Sequence, residues 1–278
     1  MQPDLHSREH AVRILKQFRT LSPLTHCMTN DVVQTFTANV LLALGASPAM
    51  VIDAGEAAQF SAIASSLLVN VGTLTQPRAQ AMRAAVESAN RSATPWALDP
   101  VAVGALSLRS DFCRELLLLH PAAIRGNASE IIALAGLWGL EGGSDTSDVR
   151  GVDSTDSVRS AAPAAVAVAR WTGGAVAISG EEDLITDGRQ LVFSQGGSEM
   201  MPCITGTGCS LGGVMAVYAA VADPFIAAIT GSAVYNLAGT RAAAHAKGTG
   251  SFQTDFIDEL YVATPDAIAQ NPLTVEEA

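Results

Sequence analysis

The turn Gly206-Thr207-Gly208-Cys209 stands directly before an apolar stretch, 209–221, whose pattern predicts a helix. Two glycines let the backbone bend sharply and bring its amides close to a ligand. A helix opening at about Cys209 adds unpaired N–H groups and roughly half a unit of positive partial charge. That combination suits charge developing on a transferring phosphoryl group, where one donor is typically worth about 3 kcal/mol of barrier. Short glycine turns also enter tightly packed helices that hold no ligand, so both readings stay open on these four residues alone. Asn127 and Glu130 form a second candidate, three apart at a predicted helix start and hence on one face. With Asp99, which ends a strand-like run, they make an oxygen set for hydrated Mg²⁺, a cation that keeps several waters and takes few carboxylates. Asparagine is also a favoured helix cap, and capping is compatible with metal positioning.

Other chemistries are excluded by what is missing. The only lysines are Lys16 and Lys247, and no GxxxxGK[ST] segment occurs, so a Walker-type phosphate loop is ruled out. No GxGxxG opens an early strand–helix unit. Cys27, Cys113, Cys203 and Cys209 form no CxxC pair, and Cys203 and Cys209 have no histidine at zinc-ligand spacing. His26, after an apolar run, reads as a satisfied structural histidine and Cys113 as a core residue.

These residues need a scaffold, and the pattern along the chain supplies one. A helix is expected over 8–20, an extended piece near 23–26, and a helix from Val32 to Leu44 capped by Asn30 or Asp31 and ended by Gly45. Strand-like runs at 49–52, 67–71, 96–100, 122–126 and 175–179 alternate with helical segments at 54–66, 76–90, 110–119 and 128–138, and with one ending at Arg170. Residues 141–157 read as a surface loop, and 183–186 with 190–193 flank Asp187-Gly188 as a hairpin at an antiparallel edge. Helices are expected again at 209–221, 224–246 and 252–263. The alternation implies an α/β fold of three αβα layers, with a mainly parallel central sheet covered by helices on both faces, over a single domain 1–278. Ligands in such sheets bind beyond the carboxyl ends of the strands, where Asp99, Arg125-Gly126-Asn127 and Ser179-Gly180 all fall.

Composition sets the outer limits. Of 278 residues, 49% are hydrophobic and 15% charged, which is ample for a large core. The net charge of −11 and the lack of basic clusters exclude a nucleic-acid partner. The polar N-terminus has no signal core and no apolar run reaches membrane-span length, so a cytoplasmic protein with reduced thiols and no membrane partner is expected.

Together, the segments beginning His26-Cys27-Met28-Thr29-Asn30-Asp31, Thr37-Ala38-Asn39, Asn70-Val71-Gly72, Asp99-Pro100-Val101, Ile124-Arg125-Gly126-Asn127 and Gly206-Thr207-Gly208-Cys209 resemble the hydroxyethylthiazole kinase family of the ribokinase-like superfamily, in order and over nearly the whole chain. The resemblance implies transfer of the ATP γ-phosphate, with Mg²⁺ as cofactor, to 4-methyl-5-(2-hydroxyethyl)thiazole in thiamine salvage. It also implies a homotrimer with active sites between subunits. On this basis Met50, Gly206 and Asn30 would contact the thiazole, and Arg125, Ser179 and Asn127 the ATP. Asp99 and Glu130 would position the metal and phosphates. The turn Gly206, Thr207, Gly208 and Cys209 would be catalytic, with Cys209 where related sugar kinases carry an aspartate base. Ser179 stands where the family usually has threonine, and 196–203 departs from its common sequence.

Overall fold

The computed structural model describes residues 5–144 and 157–278. In chain order the elements are α1 (Leu5–Leu21), β1 (Leu24–Met28), α2 (Gln34–Leu44), β2 (Ser47–Ala49), α3 (Ala54–Ile63), β3 (Ser66–Asn70), α4 (Gln76–Arg91) and β4 (Trp96–Asp99). There follow α5 (Ser107–Glu115), β5 (Ala123–Gly126), α6 (Ala128–Leu137), α7 (Ala162–Thr172), β6 (Ala175–Ile178), β7 (Asp183–Thr186) and β8 (Gln190–Ser194). The chain ends with α8 (Thr207–Ala219), α9 (Pro224–His245), α10 (Thr249–Val262), α11 (Pro265–Ala269) and β9 (Leu273–Glu277). Within the expected loop at 141–157, residues 145–156 lie outside the described residues.

Among the described residues, nine strands join one sheet in the order β2-β1-β3-β4-β5-β6-β7-β8-β9. Pairs from β2 to β6 are parallel and those from β6 to β9 antiparallel. The three-layer α/β architecture is thus as expected. Local placements differ in four respects. The antiparallel edge is β9, paired along β8, and not the 183–193 hairpin, because a short C-terminal run returns to cover that hairpin. The expected strand at 49–52 lies earlier, at Ser47–Ala49. Helix α2 starts at Gln34 without a side-chain cap, since Asn30 Oδ1 instead accepts from Val32 N at 3.1 Å in a preceding turn. Helix α8 starts at Thr207, so Gly208 and Cys209 lie inside its first turn.

The two faces of the sheet carry side chains of different size. Toward α3–α7 point Leu67, Val69, Trp96, Leu98, Ile124, Val176 and Ile178. Toward α1, α2 and α8–α10 point Leu68, Ala97, Ala123, Ala175 and Ala177. The alternation follows from the two-residue strand repeat. Alanines under α8 let its backbone approach β3, β4 and β5 closely. Gly212 uses that closeness: a Cβ there would lie 3.2 Å from Leu68 Cδ1 and 3.4 Å from Asp99 Cβ. Ala97→Leu should therefore overpack this layer. Denaturant unfolding should show a loss of about 1–3 kcal/mol, with α8 lifted off the sheet.

Candidate active site

Gly206 is the residue that turns the chain into α8. Its φ of +98° lies in the left-handed region, and a Cβ would come within 2.9 Å of Val33 Cγ1. Ser210 N bonds back to Gly206 O, leaving the first-turn amides of Thr207, Gly208 and Cys209 without intrahelical partners. The Thr207 hydroxyl donates to Met201 O at 2.9 Å, so this side chain secures the preceding loop and only its backbone amide is left for a ligand. Gly208 makes room for a cation: a Cβ there would lie 2.7 Å from Arg125 Nη1.

Asp99, Arg125 and Ser179 stand at or just beyond the carboxyl ends of β4, β5 and β6, three neighbouring strands. Arg125 Nε donates to Ser179 Oγ at 3.3 Å, and its Nη1 is 4.0 Å from Asp99 Oδ1. Asp99 is fully buried; its Oδ2 accepts from Asn70 Nδ2 at 2.7 Å, while Oδ1 has no hydrogen-bond partner. Burial holds the Asp99 carboxyl above the usual carboxylate range, with Arg125 opposing and Glu130 adding to the shift. Glu130 is also pushed up by burial, against Arg125 and two backbone amides. Those amides occupy both its oxygens: Oε1 accepts from Ala102 N and Oε2 from Asn127 N, each at 2.8 Å. Asn127 Oδ1 accepts from Glu130 N, completing a reciprocal cap on α6. Glu130 and Asn127 therefore shape the loops on either side of Asp99, whose Oδ1 is the oxygen left open.

On the other side, Asn30 Nδ2 donates to Asn70 Oδ1 at 3.0 Å and to Cys209 Sγ at 3.4 Å. Burial pushes the Cys209 thiol up to about 11; Asp99 adds to this, whereas Arg125 and the amides of Asn70 and Asn30 oppose it. At neutral pH the sulfur is a thiol. Met50 lies farther along the sheet, just after the edge strand β2, half-buried against the core on the α2 and α8–α10 face. Beside Gly206 a groove of about 380 Å³ opens between Phe36 and Asn39 of α2, Ile204-Thr205, and Gly250 and Gln253 of α10.

Three further groups organise the site. Asn70 joins the Asn30–Cys209 side to Asp99 and also accepts from Gly72 N; a polar residue closing an all-buried strand was the available signal. Arg78 donates to Thr73 Oγ1 and Thr29 O and pairs with Asp31 at 2.9 Å, clamping two loops together. Thr73 holds a positive φ of 46° there. Asp183, pushed up to about 6 by burial, accepts from Gly180 N and Asn236 Nδ2 and so ties the turn after β6 to α9. Nothing in local sequence marks Arg78 or Asn236.

A model of the hydroxyethylthiazole kinase family matches residues 15–266. The hydroxyethylthiazole kinase of Citrobacter koseri is 58% identical over 262 residues, covering 94% of this chain and 97% of that protein. The Escherichia fergusonii enzyme of the same name is 55% identical over 270 residues, 97% of this chain and 100% of that one. A solved hydroxyethylthiazole kinase structure from Pyrococcus horikoshii superimposes with a TM-score of 0.86 at 31% identity, covering 97% and 99% of the two chains. A pyridoxal kinase from Staphylococcus aureus, at 14% identity and a TM-score of 0.59 with 92% and 98% coverage, shares the fold.

Thiol reactivity should follow this geometry. Exposed Cys203 should alkylate readily with iodoacetamide, buried Cys27 and Cys113 only on unfolding, and Cys209 appreciably only as pH nears about 11. Peptide mass mapping across a pH series checks the order.

Proposed function

The chain belongs to the hydroxyethylthiazole kinase family, phosphotransferases acting on the alcohol of hydroxyethylthiazole, and on that premise we propose how its residues divide the work. The observation that carries the reading is the convergence of Asp99, Arg125 and the α8 N-terminus, set by Gly208. ATP is the co-substrate of the kinase. Its phosphates lie along Arg125, Ser179 and the loop at Asn127, with the γ-phosphoryl group facing the amides of 207–209. Transfer is an in-line displacement through a loose transition state, so positioning and charge stabilisation supply most of the rate. The thiazole alcohol enters from the Asn30, Met50 and Gly206 side, which places its hydroxyl near Cys209.

Asp99 Oδ1, buried, accepting no hydrogen bond and 4.0 Å from the Arg125 guanidinium, fits a hard cation. Asp99 would hold Mg²⁺ directly, and Glu130, its oxygens already sharing two amides, through water. Bound there, the ion would offset charge on the β- and γ-phosphates. Cys209 orients the alcohol as a thiol rather than serving as a thiolate base, because burial and Asp99 both favour the protonated form. The alcohol proton then leaves late, as expected when bond breaking to the leaving group runs ahead of bond making.

Exposed Val32, Leu42, Ile52 and Ile63 stand on or beside α2, α3 and the edge strand β2, which suits a homotrimer whose sites lie between subunits. Both apolar cores share one sheet, which supports a single kinase domain over 1–278. No helix among the described residues is long and apolar enough to cross a membrane. Four unpaired cysteines accord with a cytoplasmic enzyme of thiamine salvage.

Incubation with Mg-ATP and 4-methyl-5-(2-hydroxyethyl)thiazole should give the phosphate ester by mass spectrometry, and folded Asp99→Asn should lose at least about a hundredfold in turnover. Arg125→Ala should raise the KM for ATP by about tenfold or more and leave that for the thiazole within about twofold; equal losses would remove Arg125 from the nucleotide side. Turnover should stay level between about pH 8 and pH 10, whereas a required thiolate would make it climb about tenfold per pH unit.

A further inference from the structure

The thiazole side of the site depends on a segment with little structure of its own. Strand β2 has three residues and lies at the sheet edge, and Met50 follows immediately, before α3 begins at Ala54. Side chains at the end of so short a strand are poorly fixed by the ladder alone. His26 supplies a second hold. In the parallel pairing of β1 with β2 its backbone stands opposite Ala49. Its ring reaches past Met50 to Val51, with Nε2 at 2.7 Å from Val51 O.

A carbonyl only accepts, so Nε2 carries the proton and Nδ1 is the bare nitrogen. Nδ1 then accepts from the Ser61 hydroxyl at 2.8 Å, which links the ring to α3 at the far end of the same segment. Phe60 packs edge-on against the imidazole, with centroids 5.1 Å apart. The ring is fully buried, and burial lowers its pKa, so it remains neutral and keeps this tautomer across the neutral range. A leucine of similar size would fill the space without burying polar atoms; the imidazole earns its place by the directed bond to Val51.

We propose that His26 is a positioning residue for thiazole binding, holding both chain neighbours of Met50, Ala49 through the ladder and Val51 through its ring, and so fixing where the Met50 side chain stands. This rests on the reading of Met50 as a thiazole contact. It gives His26 a role in substrate selection that acts through Met50 and touches neither ATP nor the transferring group.

The test separates the two ring nitrogens. Glutamine can place an amide N–H near the Nε2 position, whereas asparagine is too short to reach Val51. His26→Asn should raise the KM for the thiazole alcohol by about tenfold, the size of one lost buried hydrogen bond, with the KM for ATP within about twofold. His26→Gln should bring the thiazole KM back to within about threefold of the parent, a rescue a merely space-filling role would not give. Met50→Ala is measured beside them. If Met50→Ala raises the thiazole KM and folded His26→Asn does not, the positioning role is overturned and the site reading stands. If Met50→Ala has no effect, the site reading fails and the inference with it. Parallel loss toward both substrates in His26→Asn also overturns the role. Should His26→Asn not fold, Ser61→Ala carries the test: the loosened ring should raise the thiazole KM by a few fold and spare ATP, and an unchanged thiazole KM refutes the proposal.

Discussion

The close seating of α8 on the carboxyl ends of β4 and β5 is the constraint from which the rest of the site follows. A helix backbone can approach a sheet this closely only where both surfaces are small. Ala97 and Ala123 supply one surface and Gly208 and Gly212 the other. With a side chain at either glycine, the helix would ride over Arg125 or Asp99 and its free amides would point past the phosphates. Removing bulk has a cost in lost apolar contact, and the opposite face offsets it: Trp96, Leu98, Ile124 and Ile178 fill the layer beneath α3–α7.

The same closeness explains the electrostatics. Asp99, Glu130 and Arg125 are taken from water together, and the resulting desolvation raises both carboxyl pKa values despite the guanidinium beside them. Such a cluster is poised for a ligand that brings its own charges: a cation can take up the open Asp99 oxygen, and phosphates can take up Arg125. Burial first, and Asp99 after it, disfavour the Cys209 thiolate, with Arg125 opposing. The uncharged thiol, held by the Asn30 amide, is the species this pocket keeps.

Much of this was legible from residue types. The alternation of apolar strands and helices implies the layers, and the rule that ligands sit beyond strand ends selects Asp99, Arg125 and Ser179 from residue order alone. The Asp187-Gly188 turn marked its hairpin. Less legible were features in which local rules compete. Asn30 and Asp31 are good helix caps, yet Asn30 Oδ1 accepts from Val32 N in the turn before α2, which leaves no acceptor for the helix start, while its amide nitrogen reaches Asn70 and Cys209. Strand β9 has no apolar run to mark it, because Leu273–Glu277 is mostly exposed and ends in two glutamates, and only pairing with the edge of β8 makes it a strand.

The sequence by itself determined the fold class, the glycine turn and the set of polar residues at strand ends, because each follows from periodicity, backbone freedom or chain-local chemistry. Its motifs also pointed to the family. Tertiary structure alone decided how those residues share the labour. It turned Thr207 back onto its own loop, gave both Glu130 oxygens to amides, left Asp99 Oδ1 open, and made Asn70, Arg78 and His26 into ties between segments far apart in the chain. The reason is physical: a hydrogen-bond partner is chosen by distance in space and by what water is excluded, and neither quantity is carried by residue order.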